Sequence, residues 1–394
     1  MKIAVYTFAP WNHPLAVQRI VSPAGRAGVE LINGNLGHRY SDEIVDQADI
    51  VLIQRDFPAL LPVYERVVQK ARAQAKPIVY ELDDLLFALP ADHPHRGSRY
   101  YSKALIPIFR ALTEADGVIA STPSLAAEVS ALNPQTQVLP TYLDDEIWKF
   151  PDQGRAGRTP DQRVTIGYMG GGSHTPDLEM LLPVLLNLLD RFGQNLSLEF
   201  YGEDPPGALV NHPRVRLVSP NFDYHAHVRT MTQSSCDIWI APLIDNRFNR
   251  CKSWNKFLEY SILGLAGVYG RTAPYEAVVT HGENGFLAAS PQEWEQCLTA
   301  VIENPALRWA VGQKARETVE AKWLLKDHAG EWGDGIASIE IARRRSPLEP
   351  FLAEIAHQLH EFHESVAPDP QPARPSRLRR AFNRLLRFAL RRAG

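Results

Sequence analysis

A predicted helix in the second half of the chain begins with lysines and carries a glutamate on its next turn. Lys252 lies just before this helix, Lys256 lies in its first turn, and Glu259 follows one turn later. Because the N-terminal end of a helix is partially positive, lysines there gain nothing unless an anion binds beside them. A diphosphate is the natural anion, and Glu259 has the chemistry to accept hydrogen bonds from a ribose diol. An ordinary exposed Lys–Glu pair on a helix is the competing interpretation.

A run of glycines separates a predicted strand from the next predicted helix. Gly170, Gly171, Gly172 and Ser173 directly follow an apolar run that ends at Met169. Without side chains, backbone N–H groups approach a phosphate closely, and the dipole of the following helix adds attraction. The spacing matches neither the GxGxxG dinucleotide fingerprint nor the GxxxxGKS loop, so a simple tight turn is the alternative. No glycine loop follows the first strand of the chain, which argues against a nicotinamide enzyme.

Two aspartates end a predicted strand in the first half of the chain. Asp83 and Asp84 follow the apolar run Ile78–Glu81, where a carboxylate can orient an acceptor hydroxyl. A metal site is a second interpretation, although adjacent acids do not form a D-x-D motif, and a helix cap or turn is a third. His93 and His95 lie in the proline-bounded loop that follows and are candidate acceptor-side residues, with simple exposure as the alternative. We expect no metal ion and no bound cofactor.

The composition is that of a globular protein in a reducing compartment. The 394 residues are 45% hydrophobic and 22% charged, with a net charge of −3, which supports sizeable cores. The three cysteines, Cys236, Cys251 and Cys297, have no paired spacing, so neither a disulfide framework nor a structural zinc is expected. The N-terminus lacks the pattern of a signal peptide, and no apolar run reaches the ~18 residues of a membrane-spanning helix. A cytoplasmic location is therefore predicted.

Short apolar runs alternate with helical patterns along most of the chain. The runs are β-branched and nearly continuous, as in strands that are buried on both faces of a parallel sheet. The predicted strands are Ile3–Phe8, Val29–Ile32, Ile50–Gln54, Ile78–Glu81, Gly117–Ala120, Gln137–Leu139, Val164–Met169, Leu196–Tyr201, Val215–Val218, Asp237–Ala241, Gly267–Tyr269 and Gly285–Ala288. They indicate an α/β chain with two doubly wound, Rossmann-like domains. Two such domains are expected to face a cleft, where doubly wound sheets bind ligands.

Breaks in these patterns predict the order of the domains. Residues 1–150 form the first domain, 151–163 a Gly- and Pro-rich linker, 164–321 the second domain, 322–366 a helical segment, 367–375 a proline-rich linker and 376–394 a basic amphipathic helix. The first part of the helical segment is expected to pack back on the first domain. The chain therefore has a C-terminal helical extension.

The C-terminal tail shows a clear helical periodicity of basic and apolar residues. Residues 374–394 contain eight arginines and no acid. A helix of this kind buries its apolar face at the lipid headgroup boundary while its arginines engage anionic lipid. The residues expected to bind the membrane are Arg377, Arg380, Phe382, Arg384, Leu385, Arg387 and Arg391. Docking on a partner is the main alternative, whereas the scarcity of stacking aromatics argues against nucleic acid. We expect peripheral attachment to the inner face of the plasma membrane.

Several of these segments resemble one known family of enzymes. Lys252–Tyr260, the small-residue run Leu263–Val268 and Asn284–Leu287 are similar to the nucleotide-sugar segment of retaining family 4 ("group 1") glycosyltransferases. Val79–Phe87 resembles the DDLLF segment of a bacterial branch that acts in surface-polysaccharide synthesis. Ile166–Gly170 resembles the opening of the family's second domain. The resemblance extends to about residue 335 and implies the GT-B fold.

The resemblance also implies roles for individual residues. Glu259 matches the second glutamate of the family's E-x7-E motif, which holds the ribose. The first glutamate of that motif falls on Cys251. Donor-sugar contacts must therefore come from elsewhere, and Asn249 and Lys252 are the candidates.

The predicted function is transfer of a sugar from a nucleoside diphosphate sugar to a polysaccharide or lipid-linked acceptor. Asp83, Asp84 and Lys252 are the predicted catalytic residues. Lys252, Lys256 and the backbone of the glycine run stabilise the leaving diphosphate, and retention of configuration follows from the resemblance alone. A GT-B nucleotide-sugar epimerase is one alternative. A non-catalytic scaffold is another, which the cysteine at position 251 keeps open.

Overall fold

The chain folds into two compact units. The structure is a computed structural model that describes residues 1–35, 39–93, 96, 99–149, 163–202, 204–342 and 346–365, with the side chains of residues 99 and 100 left out. Unit 1 contains the described residues of Met1–Trp148, Asn246–Asn255 and Lys322–Ala367. Unit 2 contains those of Lys149–Asp245 and Lys256–Ala321.

Strands and helices alternate along both units. The strands are β1 (Lys2–Tyr6), β2 (Glu30–Asn33), β3 (Ile50–Gln54), β4 (Ile78–Leu82), β5 (Gly117–Ala120), β6 (Thr136–Val138), β7 (Val164–Gly170), β8 (Leu196–Gly202), β9 (Val215–Val218), β10 (Ile238–Ala241), β11 (Ala266–Gly270) and β12 (Phe286–Ala288). The α-helices are α1 (Pro14–Ala16), α2 (Ser22–Arg26), α3 (Leu61–Ala73), α4 (Arg99–Glu114), α5 (Pro123–Val129), α6 (Thr175–Phe192), α7 (Tyr224–Thr232), α8 (Arg247–Arg250), α9 (Asn255–Ile262), α10 (Ala273–Glu276), α11 (Pro291–Glu303), α12 (Pro305–Lys322), α13 (Ala329–Ala337) and α14 (Glu349–Ser365). A π-helical turn, Val17–Val21, joins α1 to α2.

Unit 1 is built on a six-stranded sheet in the order β2-β1-β3-β4-β5-β6. All of its neighbouring strands are parallel. The central strands β3 and β4 are buried along their whole length, which explains why their sequences are continuous apolar runs rather than alternating ones. Because parallel strands end at the same edge of a sheet, the residues that follow β1, β3 and β4 lie together.

Helices cover both faces of the first sheet. Alternate residues of β1 and β3 enter two different cores, one with α3 and α4 and the other with α2 and α13. Trp332 of α13 is buried in the second core, and its indole Nε1 donates to the carbonyl of Arg19 at 3.0 Å. The C-terminal α14 packs on α4 and α3, where Arg72 pairs with Glu349 at 2.6 Å. The last described helices therefore belong to the first sheet.

Unit 2 repeats the design with the strand order β12-β11-β10-β7-β8-β9. All of its neighbouring strands are also parallel. Helices α6 and α11 pack on one face through a core of leucines, valines and Trp294. On the opposite face Gly167 faces Trp239, and a Cβ at position 167 would come within 2.8 Å of that ring and 2.6 Å of Cys236 Sγ. The indole of Trp239 in turn stacks on Tyr260 of α9 at 4.8 Å.

Local sequence signals explain where several helices begin. The Thr122 hydroxyl accepts from the N–H of Leu125 at 3.2 Å, with proline at the first position of α5. Asp223 caps α7 through the N–H of Ala226 at 2.8 Å. These are the capping residues that satisfy otherwise orphaned helix N–H groups.

The fold confirms the sequence-based prediction of two doubly wound α/β units with a C-terminal helical extension. Every predicted strand is present, each within two residues of its predicted ends. The units divide the chain differently from the predicted domains, however, because residues 246–255 pack within unit 1. The helix that carries Lys256 begins at Asn255. Among the described residues, no helix combines the length and the hydropathy needed to cross a bilayer.

Candidate active site

The glycine run forms an open turn between β7 and α6 in unit 2. β7 ends at Gly170, and a single 3₁₀ turn, Gly172–His174, leads into α6. A Cβ on Gly170 would lie 2.4 Å from Tyr168 Oη, whereas a Cβ on Gly171 would meet no atom within 4 Å. Gly170 is therefore required for packing. Gly171 leaves an exposed stretch of backbone at the start of a long helix, which is the setting in which N–H groups bind phosphate.

The turn holds a lysine through a buried histidine. His174 Nε2 lies 2.9 Å from Lys256 Nζ, and His174 Nδ1 lies 2.8 Å from Asp177 Oδ2. Lys256 comes from the first turn of α9, and its ammonium lies 5.7 Å from the centroid of the Tyr168 ring. These contacts place a cation directly beside the glycine turn.

Glu259 lies one turn further along α9 and is buried. Its Oε2 is 3.6 Å from His227 Nε2 of α7. Glu259 is only 4% exposed, so this carboxylate is not the surface half of a Lys–Glu pair. A buried carboxylate on the same helix as Lys256 has the chemistry to accept hydrogen bonds from hydroxyl groups.

A second charged cluster lies at the carboxyl edge of the first sheet in unit 1. Asp83 and Asp84 follow β4, and Arg55 follows β3. Arg55 Nη1 hydrogen-bonds Asp83 Oδ1 and lies 3.5 Å from Asp84 Oδ2. Lys252 Nζ lies 3.9 Å from Asp84 Oδ1. Arg55 has a φ of 52°, a conformation that is unfavourable for a residue with a side chain and is often found at functional sites.

The surroundings shift the pKa values of the two aspartates in opposite directions. Burial, opposed by Arg55 and reinforced by Asp84, raises the pKa of Asp83 to about 6. Burial also acts on Asp84, but the cations Lys252 and Arg55 outweigh it and hold its pKa below the usual value. Paired carboxylates with separated pKa values are typical of sites that move or orient protons.

A buried polar network lies next to this cluster, within the strand ends of the first sheet. Glu81 of β4 accepts from Arg19 Nε and from Gln54 Nε2, both at 2.8 Å. Gln54 in turn accepts from the Thr7 hydroxyl at 2.6 Å. Arg19 also donates to the carbonyl of Leu139 at 2.8 Å. These bonds tie the ends of β1, β3 and β4 together and fix the strand ends from which Arg55 and Asp83 project.

The segment 246–255 brings Lys252 to the aspartates. Arg247 forms two hydrogen bonds to Glu128, at 3.0 and 2.6 Å. The carbonyl of Cys251 accepts from the Thr122 hydroxyl at 2.9 Å. Burial raises the pKa of the Cys251 thiol to about 12, which favours the neutral thiol over the thiolate that a nucleophile requires.

A histidine lies close to the same lysine. His93 is 8% exposed and packs edge-on against Phe248, with ring centroids 5.5 Å apart. Lys252 Nζ lies 4.6 Å from the centroid of the same Phe248 ring. His95 and the predicted membrane-binding residues of the tail, 377–391, lie outside the described residues. Within the described ranges, no group of three or more His, Cys, Asp or Glu side chains is arranged to hold a metal ion.

Comparison with known proteins finds similarity in structure rather than in sequence. No family model matches the chain, and no curated protein is similar to it at a significant level. The structure is similar to that of Anabaena HepE in complex with UDP and glucose, with a TM-score of 0.60 and 13% identity over 86% of this chain and 99% of that chain. The sucrose-phosphate synthase of Thermosynechococcus elongatus gives a TM-score of 0.60 and 13% identity, covering 85% of this chain and 98% of that one. WaaG, a glycosyltransferase involved in lipopolysaccharide biosynthesis, gives 0.58 and 15%, covering 84% and 99%.

The chain has the GT-B fold. In this GT-B chain the predicted site residues lie in two separate groups. The first group, in unit 2, contains the glycine turn with Ser173, Lys256 beside it, and Glu259 on the same helix as Lys256. Lys252 lies with Asp83 and Asp84 in unit 1, where Asn249 is buried in the same segment. The sequence-based site did not include Arg55, Asp177, His174 or His227; of these, only the His174–Asp177 pair, three residues apart at a helix start, leaves a local signal in the sequence.

Proposed function

We propose that this GT-B chain is a glycosyltransferase that moves a sugar from a nucleoside diphosphate sugar to a glycan or lipid-linked acceptor. The observation that supports the proposal most is the Lys256 ammonium held 2.9 Å from His174 at the glycine turn. A cation and exposed backbone N–H groups at the start of a helix suit a diphosphate. The GT-B structures that resemble this chain include one in complex with UDP-glucose. The proposed acceptor class, and transfer with retention of configuration, rest on the resemblance of the sequence to retaining family 4 glycosyltransferases.

In the proposed reaction unit 2 binds the donor. Lys256 and the N–H groups of Gly170–Gly172 stabilise the charge that develops on the leaving diphosphate. Glu259, whose carboxylate faces His227 at 3.6 Å, accepts hydrogen bonds from the ribose diol. Ser173 is proposed as a further polar contact to the donor, whereas Asn249, which the sequence also assigned to the donor, belongs to unit 1. The scheme requires no metal ion.

Unit 1 is proposed to bind the acceptor. Asp83, with its pKa raised to about 6 by burial, accepts a hydrogen bond from the acceptor hydroxyl, orients it, and takes up its proton as the new bond to the sugar forms. Lys252 and Arg55 lower the pKa of Asp84 and favour its ionised form, so that its negative charge offsets part of their positive charge. His93, buried against Phe248, and His95 are proposed to line the acceptor side.

Thermal stabilisation by nucleotides tests the donor class. The parent is heated with UDP, GDP, dTDP, CDP or NAD, and we expect one nucleoside diphosphate at 100 times its dissociation constant to add ~2.7 kcal/mol of stability. Glu259→Ala should lose most of this stabilisation because the ribose loses its carboxylate. Glu276→Ala, which changes an exposed glutamate of the same unit, should retain it. Equal stabilisation of all three proteins would remove Glu259 from the donor site, and stabilisation by none of the nucleoside diphosphates would count against the proposed function.

The tail is proposed to attach the enzyme to an anionic membrane from the cytoplasmic side. Its eight arginines between residues 374 and 394 support this proposal, since each contributes about 1 kcal/mol near an anionic surface. The full chain should sediment with vesicles that contain anionic lipid and should stay in solution with neutral ones. A chain that ends at residue 366 should not sediment with either, and co-sedimentation of that shortened chain would contradict the assignment.

A further inference from the structure

A buried carboxylate and a buried histidine stand behind the lysine of the glycine turn. Asp177 and His174 are 2% and 8% exposed. Asp177 uses both of its oxygens, because Oδ2 contacts His174 Nδ1 at 2.8 Å and Oδ1 accepts from the N–H of Ile244 at 2.7 Å. The backbone contact fixes the plane of the carboxylate. The carboxylate therefore determines the orientation of the imidazole ring.

The hydrogen-bond chain also determines where the proton of His174 lies. An ammonium group only donates, so His174 Nε2 accepts from Lys256 Nζ at 2.9 Å and the imidazole proton is on Nδ1, directed at Asp177. The imidazole is then neutral, and the charges of Asp177 and Lys256 balance each other. Two tyrosines also face this chain: the ring of Tyr168 lies 5.7 Å from Lys256 Nζ, and Tyr275 interacts electrostatically with Asp177.

A diphosphate at the glycine turn changes this balance. Its oxygens attract the ammonium of Lys256, and the hydrogen bond from Lys256 to His174 Nε2 is released. The lone pair of Nε2 would then face the anion, while Asp177 continues to hold the opposite side of the imidazole ring at Nδ1. Negative charge on both sides of an imidazole favours the protonated form. The turn residues Gly170–Ser173 contain no Arg or Lys, so a protonated His174 would supply a second cation beside Lys256.

We propose that His174, held by Asp177, positions the Lys256 ammonium before a diphosphate binds and takes up a proton at Nε2 when it binds. The proton comes from hydronium or the buffer acid in solvent, so that its bond to oxygen is exchanged for the new Nε2–H bond, no bond of the donor changes, and the Nε2–H donates to a phosphate oxygen. The inference rests on the proposed function in one respect, because it takes the bound anion to be the diphosphate of the sugar donor. It assigns to His174 and Asp177 a role in donor binding beyond packing at the start of α6.

The test is calorimetric titration of the full chain with UDP-glucose, whose diphosphate has no titrating oxygen near neutral pH. Two buffers of equal pH and different protonation enthalpy are compared, and the difference in heat gives the number of protons taken up. We expect the parent to take up a measurable fraction of a proton per site. His174→Gln keeps an acceptor for Lys256 but does not titrate, so it should bind up to about tenfold more weakly with no uptake. His225→Gln, an exposed histidine of α7, should behave as the parent.

A second probe separates this inference from the proposed function. Inorganic pyrophosphate lacks the nucleoside, and its own proton exchange is removed by subtracting the result for His174→Gln. Uptake with pyrophosphate but no binding of UDP-glucose supports the role of His174 and counts against a UDP-sugar donor. Binding of UDP-glucose without uptake, or with equal uptake by His174→Gln, overturns the role of His174 and leaves the function standing. Failure of both ligands to bind overturns both.

Discussion

Replacing Lys256 by methionine is expected to lower kcat/KM for sugar transfer by about 100- to 1,000-fold, the usual effect of removing one group that stabilises developing charge. Methionine keeps most of the length and packing of the side chain but removes the ammonium that lies 2.9 Å from His174. The leaving diphosphate then loses the Lys256 cation that we propose stabilises it. Because this charge is larger in the transition state than in the bound donor, kcat should fall more than donor affinity. Steady-state kinetics at varied donor concentration measure both.

A matched lysine in the same unit serves as the control for Lys256→Met. Lys314 lies on the surface of α12 and pairs with Glu317 at 3.1 Å, so Lys314→Met removes the same charge at a distance from the turn. It should leave kcat/KM within about twofold, since exposed ion pairs contribute little. Thermal melting of both variants verifies that they fold. Full activity of a folded Lys256→Met protein would exclude this lysine from the reaction.

Replacing Asp83 by asparagine is expected to lower kcat by about 100- to 10,000-fold, the range for loss of a positioned proton acceptor. In the parent, kcat/KM should fall as the pH drops through about 6, because burial raises the pKa of Asp83 to that value and only the carboxylate accepts the hydroxyl proton. Asp83→Asn should lose this acidic limb, since asparagine does not titrate. Nucleoside diphosphate release during transfer, followed across the pH range, measures both effects.

The ion pair with Arg55 supplies the control for the pH profile. Arg55 contacts both aspartates, and its charge opposes the rise in the pKa of Asp83. In Arg55→Gln the acidic limb should therefore move to higher pH. Asp46→Asn, which changes an exposed acid that pairs with Lys70, should leave the profile unchanged. An acidic limb that persists near the same pH in Asp83→Asn would assign the titration to another group.

Most of the fold follows from the local sequence. β3, with the sequence IVLIQ, is buried at every position, and such a run fits only a strand covered on both faces. The strand order does not follow in this way, because it depends on which runs pair across the sheet. Arg55 illustrates the difference. Nothing near Arg55 in the sequence marks it, and it reaches Asp83 because β3 and β4 are neighbours in the sheet.

The two lysines show how far sequence spacing describes the site. Lys252 and Lys256 are one helical turn apart in the sequence, and spacing alone assigns both to one diphosphate. The two lysines have different neighbours because residues 246–255, which precede most of α9, are anchored by residues that are distant in the sequence. Arg247 binds Glu128 and Cys251 binds Thr122. The segment therefore carries Lys252 to Asp84 while Lys256 contacts His174.

The route of the chain between the two units has a practical consequence for anyone who dissects or recombines this protein. Residues 246–255 and 322–342 fold with the first sheet although they come after strands of the second. A fragment cut at the linker would lack α13, whose Trp332 and Ile336 fill one face of the first sheet, and would be expected to expose that apolar surface and aggregate. A chimera that exchanges unit 2 with that of another GT-B protein needs four junctions rather than one, so that Lys252 stays with unit 1 and Lys256 travels with unit 2.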